Sequence, residues 1–160
     1  MRVLGIDPGI ALTGFGLLGI EGNSLRLLHA GCIVTSENLS PEKRLRTLFE
    51  ELEALFATYV PEEVAVEELF FNRNAKTALS VGAARGVVLL CAALHGVPVY
   101  EYTPLEVKQA VVGYGKATKP QVASMVHQIL RCERITGPDD VTDALAVAVC
   151  HAFRLRMRNV

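Results

Sequence analysis

Arg2-Val3-Leu4-Gly5-Ile6-Asp7-Pro8-Gly9 opens the chain and governs how the rest of it is read. Arg2 to Asp7 has the make-up of a buried strand, and Pro8-Gly9 directly behind it is a turn signal. Asp7 therefore ends an apolar run, where a lone charge is avoided because taking a carboxylate out of water is costly. The arrangement recurs further along. Glu67 closes Val64-Ala65-Val66, and Asp140 and Asp143 stand just ahead of the run Ala144 to Val149. If that run is helical, the two aspartates, three residues apart, face the same way. No basic residue lies in the apolar runs that these acids border, Val3 to Ile6, Val64 to Val66 and Ala144 to Val149, to neutralise them. An acidic metal site is the leading expectation.

Outward from this strand, Gly14 to Ile20 and Leu25 to Thr35 read as two more strands, with Glu21-Gly22-Asn23 as the turn between them. Together the three make an antiparallel meander. Ser40-Pro41-Glu42-Lys43 is a helix start, with Ser40 as N-cap and Pro41 at the first helical position. Leu45, Leu48, Phe49, Leu52, Leu55 and Phe56 supply the apolar stripe of that helix. Val64 to Glu67 is the fourth strand, Ala75 to His95 a long helix, and Pro98 to Tyr102 the fifth strand. Helices over Pro104 to Val112, Pro120 to Leu130 and Asp140 to Arg156 complete the chain. The order predicts one α/β domain spanning residues 1–160, with a mixed five-stranded central sheet and helices on both faces. Strands one and four become neighbours through a crossover, which sets Asp7 beside Glu67 at one strand end. The last helix, packed across that end, adds Asp140 and Asp143.

Composition bounds the remaining choices. The chain has 160 residues, is 51% hydrophobic and has a mean hydropathy of +0.31, which argues for a folded domain with a full core. The longest strongly apolar stretch, Gly86 to Leu94, is short of the about 20 residues that a bilayer crossing needs. Asp7 arrives before any signal-peptide core could form. A soluble cytoplasmic protein without a membrane partner is expected. Cys32, Cys91, Cys132 and Cys150 show no CxxC spacing; Cys91 and Cys150 sit in apolar runs, which favours buried reduced thiols over a zinc site, and the four histidines form no HExxH pattern. Net charge is −1, but its distribution is uneven. Residues 1–69 hold 5 basic against 11 acidic groups, whereas residues 70–120 hold 6 basic against 2 acidic. A local basic patch, not the total, decides whether phosphate is bound.

Four blocks of this sequence resemble a known family. Leu4-Gly5-Ile6-Asp7-Pro8-Gly9 with Thr13-Gly14-Phe15-Gly16 is similar to the opening of RuvC-type crossover junction endodeoxyribonucleases, the Holliday junction resolvases. Ala65-Val66-Glu67, Phe70, Asn74-Ala75 and Ala84-Arg85-Gly86 resemble the second block of the family. Val107-Lys108-Gln109, Val111 to Gly115 and Lys119 resemble the third, and Asp140-Val141-Thr142-Asp143-Ala144-Leu145-Ala146 the fourth. The blocks stand in family order and cover nearly the whole chain.

The resemblance implies a ribonuclease H-like fold and Mg²⁺-dependent hydrolysis of DNA phosphodiesters at four-way junctions, with Mn²⁺ as the expected substitute. It carries the catalytic and metal-binding acids onto Asp7, Glu67, Asp140 and Asp143, with two ions per subunit. Glu68 is a second acid beside Glu67, but strand alternation turns it to the opposite face; Asp139 reads as a helix cap. Phe70 matches the aromatic that resolvases press against unstacked bases, which is worth about 1–3 kcal/mol per base. Arg73 lies in the same loop, and Lys108 and Lys119 match phosphate contacts. By resemblance the partners are four-way junction DNA, a second copy in a homodimer, and the branch-migration complex of RuvA and RuvB. Lys116 and the terminal Arg154, Arg156 and Arg158 read as solvated charge, the last three on a frayed tail. Gly82 and Gly86 in the long helix suggest close approach by the sheet or by a second subunit. Two other classes fit less well. An actin-like ATPase shares a Gly-Ile-Asp-x-Gly loop but needs two lobes and a second phosphate loop, and a binding-only junction protein would be expected to lack one of the acids.

Overall fold

The computed structural model describes residues 1–68, 75–132 and 135–158. Strand β1 (Arg2–Asp7) lies at the centre of a five-stranded sheet of order β3-β2-β1-β4-β5. β2 (Leu12–Glu21) and β3 (Ser24–Val34) form the antiparallel meander, turning at Gly22 with φ of 55°, a left-handed conformation that suits glycine. β4 (Glu63–Glu67) runs parallel to β1, and β5 (Val99–Tyr102) parallel to β4. The mixed sheet read from the sequence is the one observed.

Alternation of side chains along β1 and β4 divides the molecule into two cores. Leu4, Ile6, Val64 and Val66 point to one face and pack with Leu48, Leu52 and Phe56 of α1 (Pro41–Tyr59) and Ala84, Val88 and Cys91 of α2 (Ala75–Leu94). Val3 and Ala65 point to the other face. There they join Val107 and Val111 of α3 (Pro104–Val112), Val122 and Val126 of α4 (Lys119–Leu130), and Leu145 and Val149 of α5 (Asp139–Arg158).

Helix α5 lies unusually close to the sheet because β1 and β2 present glycines beneath it. A Cβ at Gly5 would collide with the carbonyl of Ala144, one at Gly14 with the carbonyl of Asp140, and one at Gly16 with the side chain of Leu145. These contacts fix the height of the helix over the sheet and, with it, the positions of its first-turn acids. Thr13, fully buried, donates to the Gly9 carbonyl at 2.7 Å and accepts from the Gly9 N–H at 3.2 Å, which pins the turn behind Asp7.

Several sequence expectations need correction. Ser40 occupies the N-cap of α1, but its hydroxyl donates to Glu42 instead of accepting from the helix backbone. The C-terminal arginines are not a frayed tail. α5 continues through Arg158; Arg154 pairs with Glu106 at 2.8 Å, and Arg156 donates to the Asn23 carbonyl while lying over the Phe153 ring. Gly86 has open space where a Cβ would stand, so the sheet is not the neighbour that its small size admits. Within α2 the apolar stretch is longer than Gly86 to Leu94: Thr77–Leu94 is long and apolar enough to cross a membrane by length and composition. Ala84, Val88, Cys91 and Ala92 of that helix are nonetheless buried in the core, and Arg85 at its middle pairs with Glu101.

Candidate active site and its acidic cleft

Asp7 and Glu67 are the last residues of adjacent parallel strands. The register Ile6↔Val66 sets them side by side at one edge of the sheet, on the face that α5 covers. Glu68, next in line, is exposed, as alternation predicts. Asp143 reaches the same place from the second turn of α5. Asp140 stands over Gly14, the β2 partner of Asp7. Asp7, Glu67 and Asp143 line a cleft of about 360 Å³ together with Lys108, Lys119, Pro104, Val107, Val122 and Ala146. Asp140 lies beside this cleft and not in its wall. Asp139 is the first residue of α5 rather than its cap and faces a neighbouring hollow with Lys119.

Two capping boxes position the lysines. Thr103 and Glu106 cap α3 reciprocally, and Thr118 and Gln121 cap α4 in the same way. Lys108 projects into the cleft from α3. Lys119 is the first residue of α4, where the helix dipole disfavours a cation. It is held there by acids: its ammonium donates to Asp143 Oδ2 at 2.8 Å, and Asp143, Asp139 and Asp7 together raise its pKa. The Thr103-x-x-Glu106 and Thr118-x-x-Gln121 spacings are both capping signatures legible in the sequence.

The electrostatics of Asp7 test the fit to a cation. Burial, followed by the charges of Asp143, Asp140 and Glu67, pushes its carboxyl up from 3.8 to about 7, against the opposing effect of Lys119. Glu67 is likewise raised by burial and by Asp143, while Lys119 and Lys108 lower it. Four carboxylates are gathered with too little positive charge to balance them. The donor set is all oxygen, which suits a hard divalent ion. Phe70 and Arg73 lie outside the described residues, so their placement is not part of this geometry.

A mixed sheet with strand-end acids, crossed by a C-terminal helix that brings two more, defines a metal-dependent nuclease of the ribonuclease H-like class. The model of the family "Crossover junction endodeoxyribonuclease RuvC" matches residues 3–151. The chain belongs to this family. It is 57% identical to the crossover junction endodeoxyribonuclease RuvC of Heliobacterium modesticaldum over 155 residues, covering 97% of this chain and 96% of that protein. A solved structure of Thermus thermophilus RuvC superposes with a TM-score of 0.91 at 43% identity, covering 99% of this chain and 97% of that one. Thermus thermophilus RuvC in complex with Holliday junction substrate gives a TM-score of 0.93 at 42% identity, with coverage of 99% and 96%.

Proposed function

We propose that residues 1–160 act as one nuclease domain that resolves four-way DNA junctions by paired symmetric nicks, through hydrolysis at the cleft of Asp7, Glu67, Asp140 and Asp143. The observation that carries this reading is the convergence of Asp7, Glu67 and Asp143 on one open cleft with Asp140 beside it, where burial and these neighbouring acids push the Asp7 carboxyl up to about 7. Such a group is stabilised in its charged form by a cation. The four acids are the residues that would hold Mg²⁺, with Mn²⁺ able to replace it; Asp7, at the end of the central strand β1 and surrounded by the other three, would be the ligand best placed to serve both ions. Bound there, divalent ions supply Lewis-acid activation of water and neutralise charge developing on the leaving 3′ oxygen.

The remaining contributions come from the chain. Val107, Val122 and Ala146 form an apolar wall that limits water beside the acids. Lys119 is 68% exposed although paired with Asp143, so its ammonium can meet a phosphate oxygen without leaving the cleft edge. Lys108, near enough to Glu67 to lower its pKa, offers a second cation for the same backbone. Phe70, assigned by resemblance, would stack on unpaired bases at the crossover, and Arg73, in the same loop, would touch bases or phosphates there.

Symmetric cutting calls for two clefts, and α2 offers the surface for a homodimer. Leu79, Leu90 and Leu94 are 76%, 54% and 64% exposed, and Gly86 lies between them with open space where a Cβ would stand. A second copy packed on this stripe would bury apolar surface that one chain leaves in water. Family membership supports cooperation with the branch-migration complex of RuvA and RuvB and a cytoplasmic location as parts of this reading.

The deciding experiment is cleavage of a four-way junction with and without Mg²⁺. Paired symmetric nicks with religatable ends are expected only with the metal. Equal cleavage in chelator, or single unpaired nicks, would overturn the reading.

A further inference from the structure

On the face of the sheet opposite the acidic cleft, one carboxylate oxygen meets both a thiol and an imidazole. Glu53 Oε1 in α1 lies 3.1 Å from Cys91 Sγ and 3.1 Å from His95 Nε2. The ligand atoms of all three residues lie within 4.8 Å of one another, the one trio of this kind among the described residues. Cys91 and His95 are four residues apart at the C-terminal end of α2, so they present their side chains one above the other. Glu53 approaches from the facing turn of α1. The His95 ring is packed 5.1 Å from that of Phe56, which fixes its orientation. Cys91 is fully buried, whereas Glu53 and His95 are 37% and 30% exposed, so the cluster has a solid floor and an open mouth.

We propose that Glu53, Cys91 and His95 form a second metal site, taking one borderline-soft divalent cation of the Zn²⁺ type and clamping α1 to α2. Sulfur, imidazole nitrogen and one carboxylate oxygen are three ligands of a tetrahedral zinc centre, and the open mouth leaves the fourth position to water. Bond lengths of about 2.0–2.3 Å give a tetrahedron whose edges are about 3.3–3.7 Å. The two 3.1 Å edges at Glu53 therefore need to open by a few tenths of an ångström, and the third edge, between Cys91 and His95, stands within 4.8 Å and is brought to the same range by the ion. In the metal-free chain the Cys91 thiol donates to Glu53. On binding, the S–H bond breaks, a sulfur–metal bond forms, and the thiol proton leaves to solvent. Ligand softness separates this site from the cleft: thiolate and imidazole favour zinc-like ions, while the all-oxygen cleft favours Mg²⁺.

The test is Co²⁺ titration of the full chain in excess Mg²⁺, followed by near-ultraviolet thiolate-to-cobalt charge transfer, which carboxylate ligands do not produce. One equivalent per chain, displaced by Zn²⁺, is expected. The band should vanish in Cys91→Ser, and affinity should fall at least about tenfold in His95→Ala, whose position near the exposed end of α2 makes misfolding an unconvincing explanation. Absence of the band in the wild-type chain would overturn the proposal. So would a band that survives Cys91→Ser, which would point instead to Cys132, 3.9 Å from His127 Nδ1, or an affinity unchanged by His95→Ala.

Discussion

Asp7 concentrates the conflict between stability and function in one side chain. Its carboxyl is raised from 3.8 to about 7, so the unfolded chain releases this proton more readily than the folded one. The contribution of Asp7 therefore favours folding below pH about 4 and is lost as pH climbs through 7. That loss is on the order of 4 kcal/mol at pH 8. Urea unfolding in chelator should show Asp7→Asn to be more stable than wild type at pH 8 and equal to it near pH 3.5; parallel curves at both pH values would remove the burden assigned to Asp7. The same substitution should abolish cleavage while junction binding survives. At the opposite pole of charge, Lys119→Ala should slow cleavage and lower the slope of log binding constant against log salt by about 1. Unchanged rate and slope would return Lys119 to ordinary surface charge.

Among the elements, α5 and the strand pair β1–β2 decide whether the acids meet. Gly5 and Gly14 face the helix, and a Cβ on either would strike backbone, which cannot swing aside as a side chain can. Gly5→Ala should cost about 1–3 kcal/mol by denaturant midpoint, the range for overpacked cores. It should also reduce cleavage under conditions where the protein is still folded, because a lifted helix carries Asp140 and Asp143 away from Asp7. A stable, fully active Gly5→Ala variant would show that the helix height is not set there. Farther along α5, fully buried His151 pairs with Glu63 of β4 and accepts or donates at 2.6 Å to the Tyr102 hydroxyl of β5. The C-terminal half of the helix is thus tied to the strands whose ends frame the cleft.

Across the whole molecule, the two faces of the sheet serve different ends. α3, α4 and α5 frame the cleft on one face, while α1 and α2 cover the other and leave an apolar stripe in water. Leu90→Glu places a charge in the middle of that stripe, facing solvent in the single chain. It should leave folding intact and shift sedimentation from dimer to monomer, with paired nicks giving way to single ones. A Leu90→Glu protein that sediments as wild type would exclude this face as the subunit contact.

Element order, the five strands and the placing of carboxylates at the rims of apolar runs were legible in the chain because they rest on local rules. Apolar periodicity marks strands and helices within a short window, and a carboxylate at the rim of an apolar run stands out by its cost. Parallel pairing of β1 with β4 likewise followed from an ordinary crossover, and it was enough to bring Asp7 to Glu67. Other features depend on residues far apart in sequence and left no local trace. The glycines of β1 and β2 look like weak strand formers until α5 is seen resting on them. The arginines ending the chain look solvated until Glu106 and Asn23 come within reach of two of them. Cys91, an ordinary apolar thiol in its own helix, becomes a candidate ligand only because Glu53 arrives from another. Pattern along a chain reports what each residue prefers to bury, whereas distance between segments is set by how closely their surfaces fit, and that fit exists only once the chain has folded.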